Sequence, residues 1–230
     1  MQVLSLLPWS DWLALAWFFS AWITYSWFTK SQGHKRGSLI STTNRYRSLW
    51  MQVATGRDPR VLDGIITQNL SSTPAFFCST TIIVIGGLFA LLGSTDKAAE
   101  LVRDMPFAQR TTVLIFDLKV LVMIGIFVFS FFRFSWSMRQ YTFVALLIGS
   151  MPEPRDFEAG KFDRELFSQR AGRMLGMAAE TFNDGLRGYY FAFAVIAWFF
   201  SAAVFAGATA FVLLILYHRE YRSEVLEVLA

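Results

Sequence analysis

Glu180, Asn183, Asp184 and Arg187 stand directly against the apolar run that begins at Gly188, in the stretch ETFNDGLRGYYFAF. Two carboxylates, an amide and a guanidinium can neutralise one another in a buried clasp, hold an ion or polar ligand, or place a base beside Thr181 for attack on a lipid. On a helix, Gly176, Glu180, Asn183 and Arg187 follow at intervals of four, three and four. That spacing aligns them on one stripe opposite Phe182 and Leu186, with Asp184 in reach of both Glu180 and Arg187. The stripe predicts a hydrogen-bonded clasp at a membrane boundary, with Asn69 and Arg133 or Arg139 as partners from other helices. Its alternative use is a ligand or ion site; in either case polar groups near lipid have to be satisfied. Glu180 with Thr181 is too generic a base and nucleophile to point to an enzyme.

Other chemistries find little support. The two histidines are His34 and His218, and the topology derived below sets them on opposite sides of a hydrocarbon layer about 30 Å thick, which excludes a bis-His haem between helices. The single cysteine, Cys78, lies within an apolar run and reads as a small buried residue, with no CxxC redox or metal motif. No nucleophile elbow, HExxH or phosphate-cradling glycine loop is present. No cofactor and no metal are therefore expected. Asp117 and Lys119 point about 200° apart on a helix and read as interfacial anchors rather than an ion pair. Arg133, six residues before Arg139, either snorkels or faces a polar cavity.

The elements that must position these residues are set by composition. Of 230 residues, 54% are hydrophobic and 17% aromatic, with 24 Phe and 8 Trp, which is the composition of a membrane protein. Four apolar runs, 9–28, 74–92, 118–138 and 188–217, are long enough to cross a bilayer, which takes about 20 residues. Their continuous polarity excludes the alternation of barrel strands. No Lys or Arg precedes the first run and no cleavage pattern follows it, so it reads as a span. Segment 29–73 carries seven Lys/Arg against two Asp, and segment 139–187 again carries seven Lys/Arg; both are assigned to the cytoplasm. The charge-balanced link at 93–110 then lies outside, as do both termini. The expected class is an all-α integral membrane four-helix bundle, one domain, with additional amphipathic cytoplasmic helices. The net charge of +4 points to anionic lipid headgroups at the cytoplasmic face and not to nucleic acid.

Within the cytoplasmic segments, Leu39, Tyr46, Leu49, Trp50 and Val53 fall near one helical face. A second helix is expected to restart at Asp58 as N-cap with Pro59 in its first turn, its face formed by Leu62, Ile65, Ile66 and Asn69. Phe167, Ala171, Met174, Ala178, Phe182, Leu186 and Tyr189 predict a third helix running straight into the fourth span, with Gly185 and Gly188 as bend points. GSMPEPRDFEAG is a break. Gly86, Ala90 and Gly93, like Ala203 and Gly207, are at spacings that let helices approach closely.

The motifs NRYRSLWM, DGIITQNL, FFCSTTIIVIGGLFALLGS, FFRFSWSMRQY, FNDGLRGYYFA and YHREYRS together resemble the membrane family of bacteria and plants catalogued as domain of unknown function 599. The resemblance runs from the first span to about Arg222 and implies a four-span integral membrane protein, with no activity attached. The resulting expectation is a bacterial inner-membrane scaffold or interaction subunit, a homo-oligomer or part of a membrane complex. The alternatives are a small transporter or channel with a cavity open to the cytoplasm and, third, a lipid-acting enzyme.

Overall fold

The computed structural model describes residues 7–32, 37–94 and 112–229. Most of the link at 93–110, and His34, Lys35 and Arg36, lie outside that range. Among the described residues the chain is all helix: α1 (Trp9–Gln32), α2 (Leu39–Ala54), α3 (Val61–Leu92), α4 (Val113–Gly149), α5 (Pro154–Glu158), α6 (Arg164–Ala197), α7 (Ala202–Tyr221) and α8 (Glu224–Leu229). Three stretches, Val61–Leu92, Val113–Gly149 and Ala202–Leu229, are long and apolar enough to cross a membrane.

Local signals set several boundaries. Ser38 caps α2 in a reciprocal box with Ser41, Thr112 caps α4, and Asp163 caps α6. The restart after α2 comes later than expected. Helix α3 opens at Val61, and Asp58 is not its cap. The Arg60 guanidinium instead ties the connection down by donating to the carbonyls of Ala54, Met151 and Pro152. Pro74 lies inside a continuous α3, so the cytoplasmic and spanning portions read separately from the sequence form one rod about 48 Å long.

The antiparallel pair α4 and α6 is the spine. Gly185 and Gly188 lie inside the unbroken helix α6. They let it touch α4, because a Cβ on Gly185 would fall 2.5 Å from Phe134 Cε1 and one on Gly188 would overlap Ser130 Oγ. Two turns earlier, Ser137 Oγ donates to the Ala178 carbonyl at 2.7 Å. Helix α2 packs on the first half of α6 by the same device, with Asn44 against Gly176 and Ser48 against Gly172. Met51, Tyr141, Val144, Ile148, Ala171, Leu175 and Ala178 fill the core of this three-helix layer. Gly86, Gly87 and Gly207, by contrast, meet nothing within 4 Å of an added Cβ. Among the described residues the expected close packing through them does not occur.

The fourth span is not one helix. Helix α6 ends at Ala197, Trp198–Phe200 turn, and Ser201 caps α7. Helix α7 folds back along α6, shown by Trp198 stacked on Phe205 at one end and Arg219 bonded to Tyr190 at the other. Helix α7 also runs parallel to α1, with Trp17 Nε1 donating to the Ala206 carbonyl. The hairpin returns the chain to the α2 end. There Glu220 accepts from the Ile40 amide at 3.1 Å, and Tyr46 and Arg45 donate to the Leu229 carbonyl. The expected separation of the C-terminus, and with it His218, from segment 29–73 is therefore corrected. Hydropathy is blind to the break because the run WFFS is as apolar as its flanks and holds neither Pro nor Gly.

Helix α3 reverses another expectation. Leu62 and Ile65 are more than half exposed, while Asp63 and Thr67 are buried. The apolar face points outward and the polar one inward, where Asp63 accepts from the Trp50 indole and the Arg57 guanidinium.

Candidate functional site

Three cations converge on Asp184. Arg187, one turn on along α6, donates to Asp184 Oδ1 at 3.0 Å; Lys30 at the end of α1 and Arg133 of α4 approach Oδ2 at 3.2 and 3.4 Å. The Asp184 side chain is only 11% exposed, so these pairs are screened far less than surface ion pairs. Arg187 also lies over the Tyr25 ring and Arg133 over Phe129. One carboxylate thus joins α1, α4 and α6.

Glu180, one turn earlier, takes a different partner from the one its spacing suggested. It accepts from Asn44 Nδ2 of α2 at 2.8 Å, and Asn44 Oδ1 accepts from Arg47 at 2.7 Å. Arg47 also donates to Thr43. Burial lowers the pKa of Arg47, opposed by Tyr141 and Glu180. The chain Arg47–Asn44–Glu180 fixes α2 against α6 at the same level as the Asp184 cluster. Thr181 turns away, its hydroxyl bonded to the Met177 carbonyl, so no base–nucleophile pair with Glu180 forms.

The expected partners divide. Arg133, Glu180, Asp184 and Arg187 come together as described. Asn69 is exposed on α3, away from the cluster, because the buried face of α3 is the one carrying Asp63 and Thr67. Arg139 is exposed and stacks over Phe143; two turns beyond Arg133, it is on the layer rather than at the boundary. Asn183 is half-buried, and its side chain makes no hydrogen bond with the described residues. Lys30, Asn44 and Arg47 were missed. Lys30 carries a signal, being the first cation after the first apolar run, whereas nothing in the sequence pairs Asn44 with α6.

Two cavities meet at Lys30 and Asp184. An apolar groove of about 520 Å³ lies between α1 and α4, bordered by Trp22, Ile23, Gly125 and Phe129 and ending at Lys30, Arg133 and Asp184. A polar chamber of about 190 Å³ continues from there between Thr29, Ile40, Ser41, Glu180 and Arg187.

A second polar site closes the opposite end. Lys119, 1% exposed, donates to the Trp198 carbonyl at 2.8 Å and lies over the Trp198 and Phe199 rings. The Trp198 indole donates to buried Asp11. Lys119 is therefore no interfacial anchor. Its partner is the α6–α7 turn, which spacing could not supply.

Among the described residues no group of His, Cys, Asp and Glu is arranged to hold a metal. His218 is exposed at the α2 end; the expectation that the bilayer separates it from His34 falls on a residue outside the described range. No curated protein and no solved structure matches this sequence. Residues 13–225 match one family model, and the chain belongs to that family, described as protein of unknown function DUF599.

Proposed function

We propose that the protein is a multi-pass membrane subunit that binds and organises rather than conducts. In this reading α1, α3, α4, the second half of α6, and α7 cross the bilayer. The layer built by α2, the end of α4 and the start of α6 stands on the cytoplasmic side of a bacterial inner membrane. The concentration of Lys and Arg at that end supports the assignment, which leaves the N-terminus outside and the C-terminus inside.

One observation carries the binding reading. The Asp184 cluster abuts a packed aromatic layer in which Phe18, Trp22, Phe191, Trp198 and Phe205 stack edge to face or face to face. A conduit through one chain needs polar groups continuing across the bilayer. Here the cluster at one end and the Lys119 site at the other are separated by rings. In this account the cluster is a clasp whose charges hold α1, α4 and α6, and through Glu180 also α2. The uncovered small-residue face at Gly86, Gly87 and Ala90 supports self-association, since a second helix can approach there.

Reconstitution into liposomes loaded with a potassium- or pH-sensitive dye tests the reading. Flux no greater than in empty liposomes is expected. Flux above that level that Asp184→Asn abolishes would establish the transporter alternative instead.

A further inference from the structure

Resting on the binding reading, we infer that the groove between α1 and α4 seats one anionic phospholipid, its phosphate at Lys30 and Arg133 and an acyl chain along Trp22, Ile23 and Phe129. The site is amphipathic by construction. Its apolar part opens sideways, with Phe19, Ile23 and Phe129 exposed at the depth of the spans. From Phe19 to Lys30 it extends about 16 Å, eleven residues at about 1.5 Å each. Its volume of about 520 Å³ is within the range of small-molecule pockets, about 300–1,000 Å³.

Charge selects the headgroup. The two cavities are lined by Lys30, Arg133 and Arg187 against Glu180 and Asp184, three cations to two carboxylates, a surplus of one. Lys30 and Arg133 are the two whose side chains keep substantial exposure, 59% and 35%, and both border the groove. They retain donors for a phosphate oxygen while each holds Asp184. A phosphate diester with its chain buried between Val122 and Ile23 satisfies both halves of the site. A zwitterionic headgroup brings its own cation into a cluster that already has too many.

The full chain, delipidated in dodecyl maltoside, is titrated separately with phosphatidylglycerol, phosphatidylcholine and inorganic phosphate, and followed by native mass spectrometry and thermal melting. One retained phosphatidylglycerol and a raised melting temperature are expected, with phosphatidylcholine at least about tenfold weaker, the worth of one charge-assisted hydrogen bond, and no effect of phosphate. Lys30→Gln and Arg133→Gln should each remove the preference. Gly125→Leu supplies an arm that leaves the charges alone. An added Cβ there meets nothing within 4 Å, so the variant should fold and melt like wild type without lipid, yet lose the adduct. Equal binding of the two lipids, stabilisation by phosphate alone, or an adduct that survives Gly125→Leu would each overturn the inference. Dye flux in the liposome experiment, by contrast, would overturn the binding reading whatever lipid is retained.

Discussion

Lys119 of α4 donates its ammonium proton to the carbonyl of Trp198 at 2.8 Å, fastening the longest helix to the turn that reverses α6 into α7. The bond satisfies a carbonyl left open where α6 ends, and it sets the only lysine buried among the described residues near Asp11. Replacing Lys119 by Met leaves that carbonyl without a donor and Asp11 without its nearest cation. A loss of roughly 1–3 kcal/mol is expected for the stranded groups, seen as a lower melting temperature in detergent. An unchanged or raised melting temperature would return Lys119 to the role of a dispensable charge.

Sidedness follows from the hairpin. In a Cys78→Ala background, cysteines at Gln52 and Glu227, both exposed, should be shielded together from an impermeant thiol reagent in intact cells, whereas one at Ser94 should react. Reaction at Glu227 but not Gln52 would mean that α6 and α7 form one straight span.

The family, the all-helical class and much of the polar stripe are legible in the sequence, because 3.6-residue periodicity fixes which side chains of one helix share a face. Asp184 and Arg187 pair as their spacing requires. The reversal at Trp198 is illegible, since an apolar hairpin and an apolar span have the same hydropathy. Helix α3 shows a different limit. Its periodic apolar residues Leu62 and Ile65 mark one face, yet the buried face is the one where Asp63 takes Trp50 and Arg57 as partners, so periodicity marks a face without saying which one the protein covers. The partners Lys30 and Asn44 come from other helices, and only tertiary packing brings them to Asp184 and Glu180.

Glycines on α6 and α3 predict a contrast. Gly185→Ala pushes a methyl into the fully buried Phe134 ring and should cost about 1–3 kcal/mol by overpacking. Gly64→Ala, away from the small-residue face, fills open space within α3 and should be neutral or stabilising by about 0.5–1 kcal/mol. Melting of the two variants side by side checks the contact map; equal behaviour contradicts it.

Corrected partners give a second contrast. Asn69→Ala and Arg139→Ala alter exposed groups and should shift stability by no more than about 0.5 kcal/mol. Asn44→Ala strands Glu180 and frees Arg47, with an expected cost of roughly 1–3 kcal/mol. If Asn69→Ala proves the most damaging of the three, the side of α3 that faces the cluster has been misassigned.

The clasp is tested most directly by a double-mutant cycle across Asp184 and Arg133, with Asp184→Asn, Arg133→Gln and the pair measured by unfolding in one detergent. Asp184→Asn leaves Lys30, Arg133 and Arg187 facing one another without their carboxylate and should be the more damaging single change, roughly 3–5 kcal/mol. Adding Arg133→Gln then relieves part of the repulsion, so the pair should fall short of the sum by about 0.5–3 kcal/mol. Strictly additive losses, or an Asp184→Asn protein that melts at or above the wild-type temperature, would contradict the clasp.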